Sequence, residues 1–191
     1  MSLVLASGPA TEPVSVAEAK AHLRVDHTAE DPFIGSLIVT SRLHIEAALG
    51  LALITQSWSY FIDRFPRSGE LVLPMRPVQS VSAVRIWQSD DTSAAAPASA
   101  YLLDGTALPP RLVWCNAPFP TAGRRAKGIE VAMTVGYGPA PADVPAPISH
   151  ALLLLIAHWY EHREPIEVGE ALAPIPVAVS ELLAPYRARH L

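Results

Sequence analysis

Apolar residues recur along this chain at two spacings, and the spacing changes twice. From Ser15 to about residue 25, Val16, Ala19 and Leu23 stand three and four apart, as on one helix face. Ser15-Val-Ala-Glu18 opens that helix as a capping box: the Ser15 hydroxyl accepts from the Glu18 amide and the Glu18 carboxylate from the Ser15 amide. Asp31-Pro32 predicts a second start, with a capping carboxylate and a proline at the first helical position. Ile34, Leu37, Ile38, Ser41, Ile45, Ala48 and Leu49 then repeat at three and four. Arg42 and Glu46 predict an ion pair on the exposed side, and Gly50 a C-cap. Residues 1–13, with Gly8, Pro9 and Pro13, read as an extended lead-in.

After Thr55 the period shortens to two. Residues 56–63 alternate and predict a strand. Further strands are expected at 70–73, 80–88, 101–103, 111–115 and 129–135, with proline and glycine between them. Asp90–Ala100 is a low-complexity Ala/Ser stretch, read as a mobile hairpin tip that tolerates shortening. Gly136-Tyr-Gly138 is expected to turn the last strand toward a helix.

The helical period returns at 145–163, starting near Pro145 and Pro147 and ending at Pro165. From Ala151 to Ala157 this helix is apolar on nearly every side, so it must be buried in a core or between subunits. It is too short for a membrane span and carries His150, His158 and His162. A linker over 167–176 leads to a last amphipathic helix at about 177–189. The expected fold class is α+β: a small bundle of about four helices with a β-rich insertion between the second and third main helices. The expected parts are 1–55 and 139–191 for the bundle and 56–138 for the β lobe.

Composition adds three constraints. Among 191 residues half are apolar and only 17% are charged, against a usual quarter, which suits surface hidden in an assembly. The net charge of −4 argues against a dedicated nucleic-acid binder. It is uneven: residues 56–138 hold eight Lys/Arg and six Asp/Glu, the remainder six and twelve. The single Cys115, in an apolar run, excludes an internal disulfide and reads as a buried thiol. No basic segment followed by a long apolar run opens the chain, so no secretory signal is expected.

One motif imitates an enzyme. His158-Trp-Tyr-Glu161-His162 matches H-x-x-E-H, in which two histidines one turn apart hold zinc and the glutamate acts as base. A catalytic zinc needs a third ligand. The candidates after His162 are Glu164, Glu167, Glu170, Glu181 and His190, most of them crowded at the helix end. The plainer reading packs His158 in the bundle and sets His162 and Arg163 against the helix dipole. No phosphate loop or nucleophile elbow occurs. His22, His27 and His44 are scattered and read as surface or packing residues. Arg124, Arg125 and Lys127 form the one basic cluster, expected at a solvated hairpin tip, with contact to nucleic acid or an acidic partner as the alternative.

Several blocks together carry a resemblance: Glu12–Asp26, Ala52–Trp58 with Asp63–Pro66, Leu73–Val81, Val135–Gly138, Val144–Ile148, His158–Glu164 and Leu182–Arg187. In this order the chain resembles the head–tail connector (adaptor) proteins of tailed bacteriophages and phage-like gene transfer agents. One departure is Phe119-Pro120, where many relatives carry Trp-Pro. The resemblance implies a structural subunit, not an enzyme, without metal or cofactor. It implies a homo-oligomeric ring, usually dodecameric, between the portal protein and a downstream tail or stopper protein. Double-stranded DNA would pass through without specific binding. Such a protein is assembled in the bacterial cytoplasm, sits in the virion or gene transfer agent particle and touches no membrane. Val179, Leu182, Leu183, Tyr186, Arg187 and Arg189 are the expected portal-binding residues. The alternative function is a small binding module acting in particle assembly or DNA packaging.

Overall fold

The computed structural model describes residues 1–115, 118–162 and 175–187. The fold is α+β; among the described residues it has four α-helices and two antiparallel sheets. It divides into a β unit, which takes in Met1–Ala10 and Gly50–Pro139, and a helical unit, which takes in Thr11–Leu49 and 140–187.

The β unit contains strands β1 (Ser2–Ser7), β2 (Gln56–Ile62), β3 (Glu70–Val72), β4 (Val78–Trp87), β5 (Ser93–Ala95), β6 (Tyr101–Asp104), β7 (Arg111–Trp114) and β8 (Ile129–Val135). Five strands are ordered β1-β2-β8-β4-β5 and three are ordered β3-β7-β6. β8 is the central strand, paired residue for residue with β2 from Gln56↔Val135 to Ile62↔Ile129. Its other edge pairs with β4 through two register shifts. Ile129, Val131, Met133 and Val135 are buried with Tyr60, Ile62, Val84, Leu71 and Leu112 in one core. Glu130, on the same strand, accepts from Ser59 Oγ at 2.8 Å and from Arg85 Nη1 at 3.3 Å.

Gly136 ends β8 with φ +124. A Cβ there would stand 2.6 Å from the Ile54 carbonyl oxygen, so only glycine fits. Its amide donates to Pro77 O at 2.9 Å, and Tyr137 and Gly138 bond to Leu53 and Thr55. The turn expected from Gly-Tyr-Gly is therefore a splice between β8 and residues 53–55.

Two segments correct the sequence reading. Residues 2–7 are a strand, not a lead-in: Ser2↔Phe61 through Ser7↔Ser57 pair β1 with β2. With Gly50–Thr55 also in the β unit, the helical part of 1–55 narrows to residues 11–49. Within Asp90–Ala100, Ser93, Ala94 and Ala95 pair with Trp87, Ile86 and Arg85, and Ala100 is buried. That stretch is a sheet edge, and cutting out Thr92–Ser99 would remove a ladder. Cys115 is exposed at the end of β7, where its expected burial fails because the apolar run ends with the strand.

The helical unit consists of α1 (Val16–Leu23), α2 (Asp31–Leu49), α3 (Ala146–Glu161) and α4 (Val177–Leu183). The capping box is present, with Ser15 N donating to Glu18 Oε2 at 2.8 Å and Glu18 N to Ser15 Oγ at 3.1 Å. The Ser15 hydroxyl bond, then the Ser15 backbone bond, holds the Glu18 carboxyl below its ordinary pKa. Lys20 Nζ pairs with Asp31 at 2.7 Å and ties α1 to the start of α2. α3 packs against all three other helices and buries Ile148, Ala151, Leu152, Leu155 and Ile156. Each of the buried Ile and Leu side chains contributes about 1.5–3 kcal/mol. Leu153, Leu154 and Ala157 stay half-buried, so one chain does not cover the helix all round. α4 is shorter than expected and passes into a 3₁₀ turn at Ala184–Tyr186. The expected helix end at Pro165 and most of the 167–176 linker lie outside the described residues.

Arg42 and Glu46 do pair, at 2.9 Å, but inside the bundle rather than on its exposed side. Each side chain is 8% exposed. Arg42 Nε also donates to Glu12 Oε2 at 2.7 Å and Nη2 to Oε1 at 3.2 Å. The distant Glu12, which helical spacing cannot reveal, makes the burial tolerable. Burial works against the guanidinium charge, but Glu12 and Glu46 outweigh it and raise the Arg42 pKa above its ordinary value.

Two expectations follow. Gly136→Ala is expected to cost at least about 2 kcal/mol, through positive φ and the clash with Ile54, read as a lower urea midpoint. Arg42→Ala is expected to cost about 3–5 kcal/mol because it removes the cation that the buried carboxylate of Glu46 and the part-buried one of Glu12 share. Arg42→Ala combined with Glu46→Ala should cost less than the two singles added, which a double-mutant cycle in urea reads directly.

Candidate functional site

The H-x-x-E-H residues end α3. His158 and His162 share a helix face, with ring centroids 4.6 Å apart. His162 Nδ1 lies 2.8 Å from the His158 carbonyl oxygen and donates to it as the Nδ1–H tautomer. The His162 backbone amide donates to the same oxygen at 3.1 Å. The ring thus adds a second hydrogen bond to a last-turn carbonyl that already accepts from the His162 amide. Glu161 is exposed. Among the described residues no group of three His, Cys, Asp or Glu side chains converges as a metal site. Glu181 stands apart on α4, and Glu164, Glu167, Glu170 and His190 lie outside the described residues. The neighbouring aromatics are used for packing: Trp159 meets His44 edge-on at 5.6 Å, and the Tyr160 hydroxyl donates to the Glu30 carboxylate. His22 meets His150 edge-on at 6.5 Å.

α4 divides the expected portal-binding residues. Val179 and Leu183 are 2% and 7% exposed. They face a small groove that they share with His44, Ile45, Ala48, Leu49 and Ile175. Their apolar face is therefore spent on the bundle and is not a free docking face. Leu182 and Tyr186 are half-buried and Arg187 is exposed. Arg189 lies outside the described residues. Amphipathic spacing shows that α4 has an apolar face but not whether that face turns inward or outward.

Arg124 and Lys127 of the basic cluster are engaged by residues of neighbouring strands and turns. The Arg124 guanidinium lies 4.3 Å over Trp87, with its Nη2 and Nε 2.7 and 2.9 Å from Asp91. The Lys127 amide donates to Asp63 at 2.9 Å, and its Nζ sits 5.8 Å from the Phe61 ring. Arg125 is exposed. Phe119, the departure from Trp-Pro, stacks on Phe65 at 6.4 Å, so an aromatic still fills the place beside Gly69. Among the described residues no helix is long and apolar enough to cross a membrane.

The sheets and the helical bundle make an α+β fold. The model of the Head completion protein family matches residues 12–168, and the chain belongs to that family. Its fold is similar to a chain in the neck of an empty GTA particle computed with C6 symmetry, at 24% identity and TM-score 0.85. A chain in the virion of a native gene transfer agent (GTA) particle matches equally, at 24% and 0.85. A third, in the neck of a native GTA particle computed with C12 symmetry, matches at 23% and 0.77. Each likeness covers 100% of this chain and 97% of the other. No curated protein matches the chain.

The histidine pair is expected to do no metal chemistry. After incubation with one equivalent of zinc and desalting, the purified protein should retain no stoichiometric metal, and His162→Ala should change nothing. Zinc held at one per chain and lost in His162→Ala would restore the peptidase reading.

Proposed function

We propose that this chain is a non-enzymatic structural subunit of the head–tail junction of a phage or gene transfer agent particle. It forms a ring, of twelve copies, between the portal and a tail-side protein, and DNA passes through the ring without specific binding. The observation that carries this reading is the family match over 12–168 together with a fold likeness that spans the whole chain and reaches neck proteins. Three physical features suit it. The sequence outside 56–138 is acidic, six Lys/Arg against twelve Asp/Glu, and an acidic lumen repels phosphate where a basic one would grip it. The catalytic-looking motif is occupied by helix capping. The low charge leaves surface for neighbours.

The portal contact is assigned to what α4 leaves outward: Leu182, Tyr186, Arg187 and the residues after them. Val179 and Leu183 hold this segment to the bundle. A chain stopped after Ala184 removes Tyr186 and Arg187 but keeps both anchors. It is expected to fold with an unchanged melting temperature, while filled heads carrying it lack the junction ring and do not join tails. Wild-type occupancy of purified portals by the truncated chain would sink the portal assignment. Normal tailed particles made with no copy of this protein would sink the whole reading, and would favour the assembly-module alternative if fewer heads were filled.

A further inference from the structure

We infer that the outward ridge of α2 seats in the apolar groove beside α1 and α3 of a second copy, and that this contact joins neighbours in the ring. The inference rests on the ring reading above and names the surfaces that make it.

The ridge is unusual in its polarity. α2 carries three charged residues, of which Arg42 and Glu46 are buried and Asp31 is paired with Lys20 at the helix start. None of the helix's exposed positions carries an Asp, Glu, Lys or Arg; the one exposed imidazole, His44, lies beside this line and meets Trp159 edge-on at 5.6 Å. The outward line is Ser36, Val39, Thr40, Leu43 and Ala47, with Val39 36% and Leu43 53% exposed. The two hydroxyls need no outside partner. Ser36 Oγ donates to Phe33 O at 2.7 Å and Thr40 Oγ1 to Ser36 O at 2.8 Å. The ridge thus presents small and apolar surface that can be dried without stranding a polar group. Depletion of charge is the compositional mark of an interface centre.

The same helical unit offers a complement. An open groove of roughly 670 Å³ is lined by Pro13, Val14, Ala21, Pro141, Ala142 and Leu153, with Glu18 and His22 also at its wall. Leu153 is one of the α3 side chains that a single copy leaves half-covered. A ring with rotational symmetry above two-fold needs two different patches on each copy, one for each neighbour. A ridge on α2 and a groove walled by α1, α3 and residues 140–142 meet that requirement. A helix ridge entering a groove is the ordinary way helices pack.

Cysteine pairs in assembled particles test this, in a Cys115→Ser background because Cys115 is exposed. One pair is Leu43→Cys with Ala142→Cys; the second is Val39→Cys with Ala21→Cys. All four positions are exposed. After mild oxidation, non-reducing gels of particles are expected to show a ladder of linked copies for at least one pair and none for any single cysteine. Electron microscopy of the same particles reads the ring independently. A ring in the neck with both pairs unlinked overturns the ridge-and-groove contact and leaves the proposed function standing. No ring of this protein in the neck overturns both. As a further check, Leu43→Glu should keep the helical circular dichroism and abolish ring density, and a wild-type ring in that variant would also overturn the contact.

Discussion

The orientation of α2 about its own axis depends on one buried arginine. Arg42 lies between Glu12, thirty residues earlier, and Glu46, one turn later, and all three polar distances fall between 2.7 and 3.2 Å. Desolvating three charges is expensive, and an apolar triplet of the same volume would often be more stable. The arrangement brings orientation instead. With Arg42 and Glu46 inside, Ile34, Ile38, Ile45 and Leu49 also turn inward, while Val39 and Leu43 must turn out. Rotating the helix to hide Val39 and Leu43 would break the ion triad or strand Glu12. α2 therefore exposes Val39 and Leu43 as a consequence of how its charges are paired.

Much of the fold was legible because local physics decided it. The capping box, the Asp-Pro start of α2, the six predicted strands and the glycine turn after β8 all rest on residues close in sequence. The failures share a cause. β1 has no alternation to announce it, since Ser-Leu-Val-Leu-Ala-Ser becomes a strand only because β2, some fifty residues on, offers its edge. β5 is three small residues paired with the end of β4. Cys115 ends an apolar run that the three-stranded sheet does not cover. Arg42 was read as exposed because an i, i+4 pair fits either side of a helix, and Glu12 settles which.

The candidate site was legible in kind and not in direction. The spacing of His158 and His162 correctly placed both rings on one face, but whether a third ligand arrives is a tertiary question. The apolar face of α4 was correctly found, with Val179 and Leu183 on it. Its direction depended on the hollow beside His44 and Ala48, to which no residue of α4 points in sequence. Arg124 shows the same limit: a basic run suggests a polyanion, yet Trp87 and Asp91 hold its guanidinium.

The exposed ridge on α2 also has to be compatible with a chain that exists before it assembles. A large apolar patch would drive indiscriminate association. Here Val39 and Leu43 are separated by one turn and flanked by Ser36, Thr40 and Ala47, whose hydroxyls, where present, are already bonded. Such a ridge buries little area, so a single ridge-and-groove contact is weak. In the proposed ring each copy would make that contact twice, once with its ridge and once with its groove. Copies held side by side on a partner meet at high effective concentration. Weak pairing alone and firm pairing in place is what the proposed contact of a narrow, internally satisfied ridge would provide, and the buried ion triad fixes that ridge on the outside of the bundle.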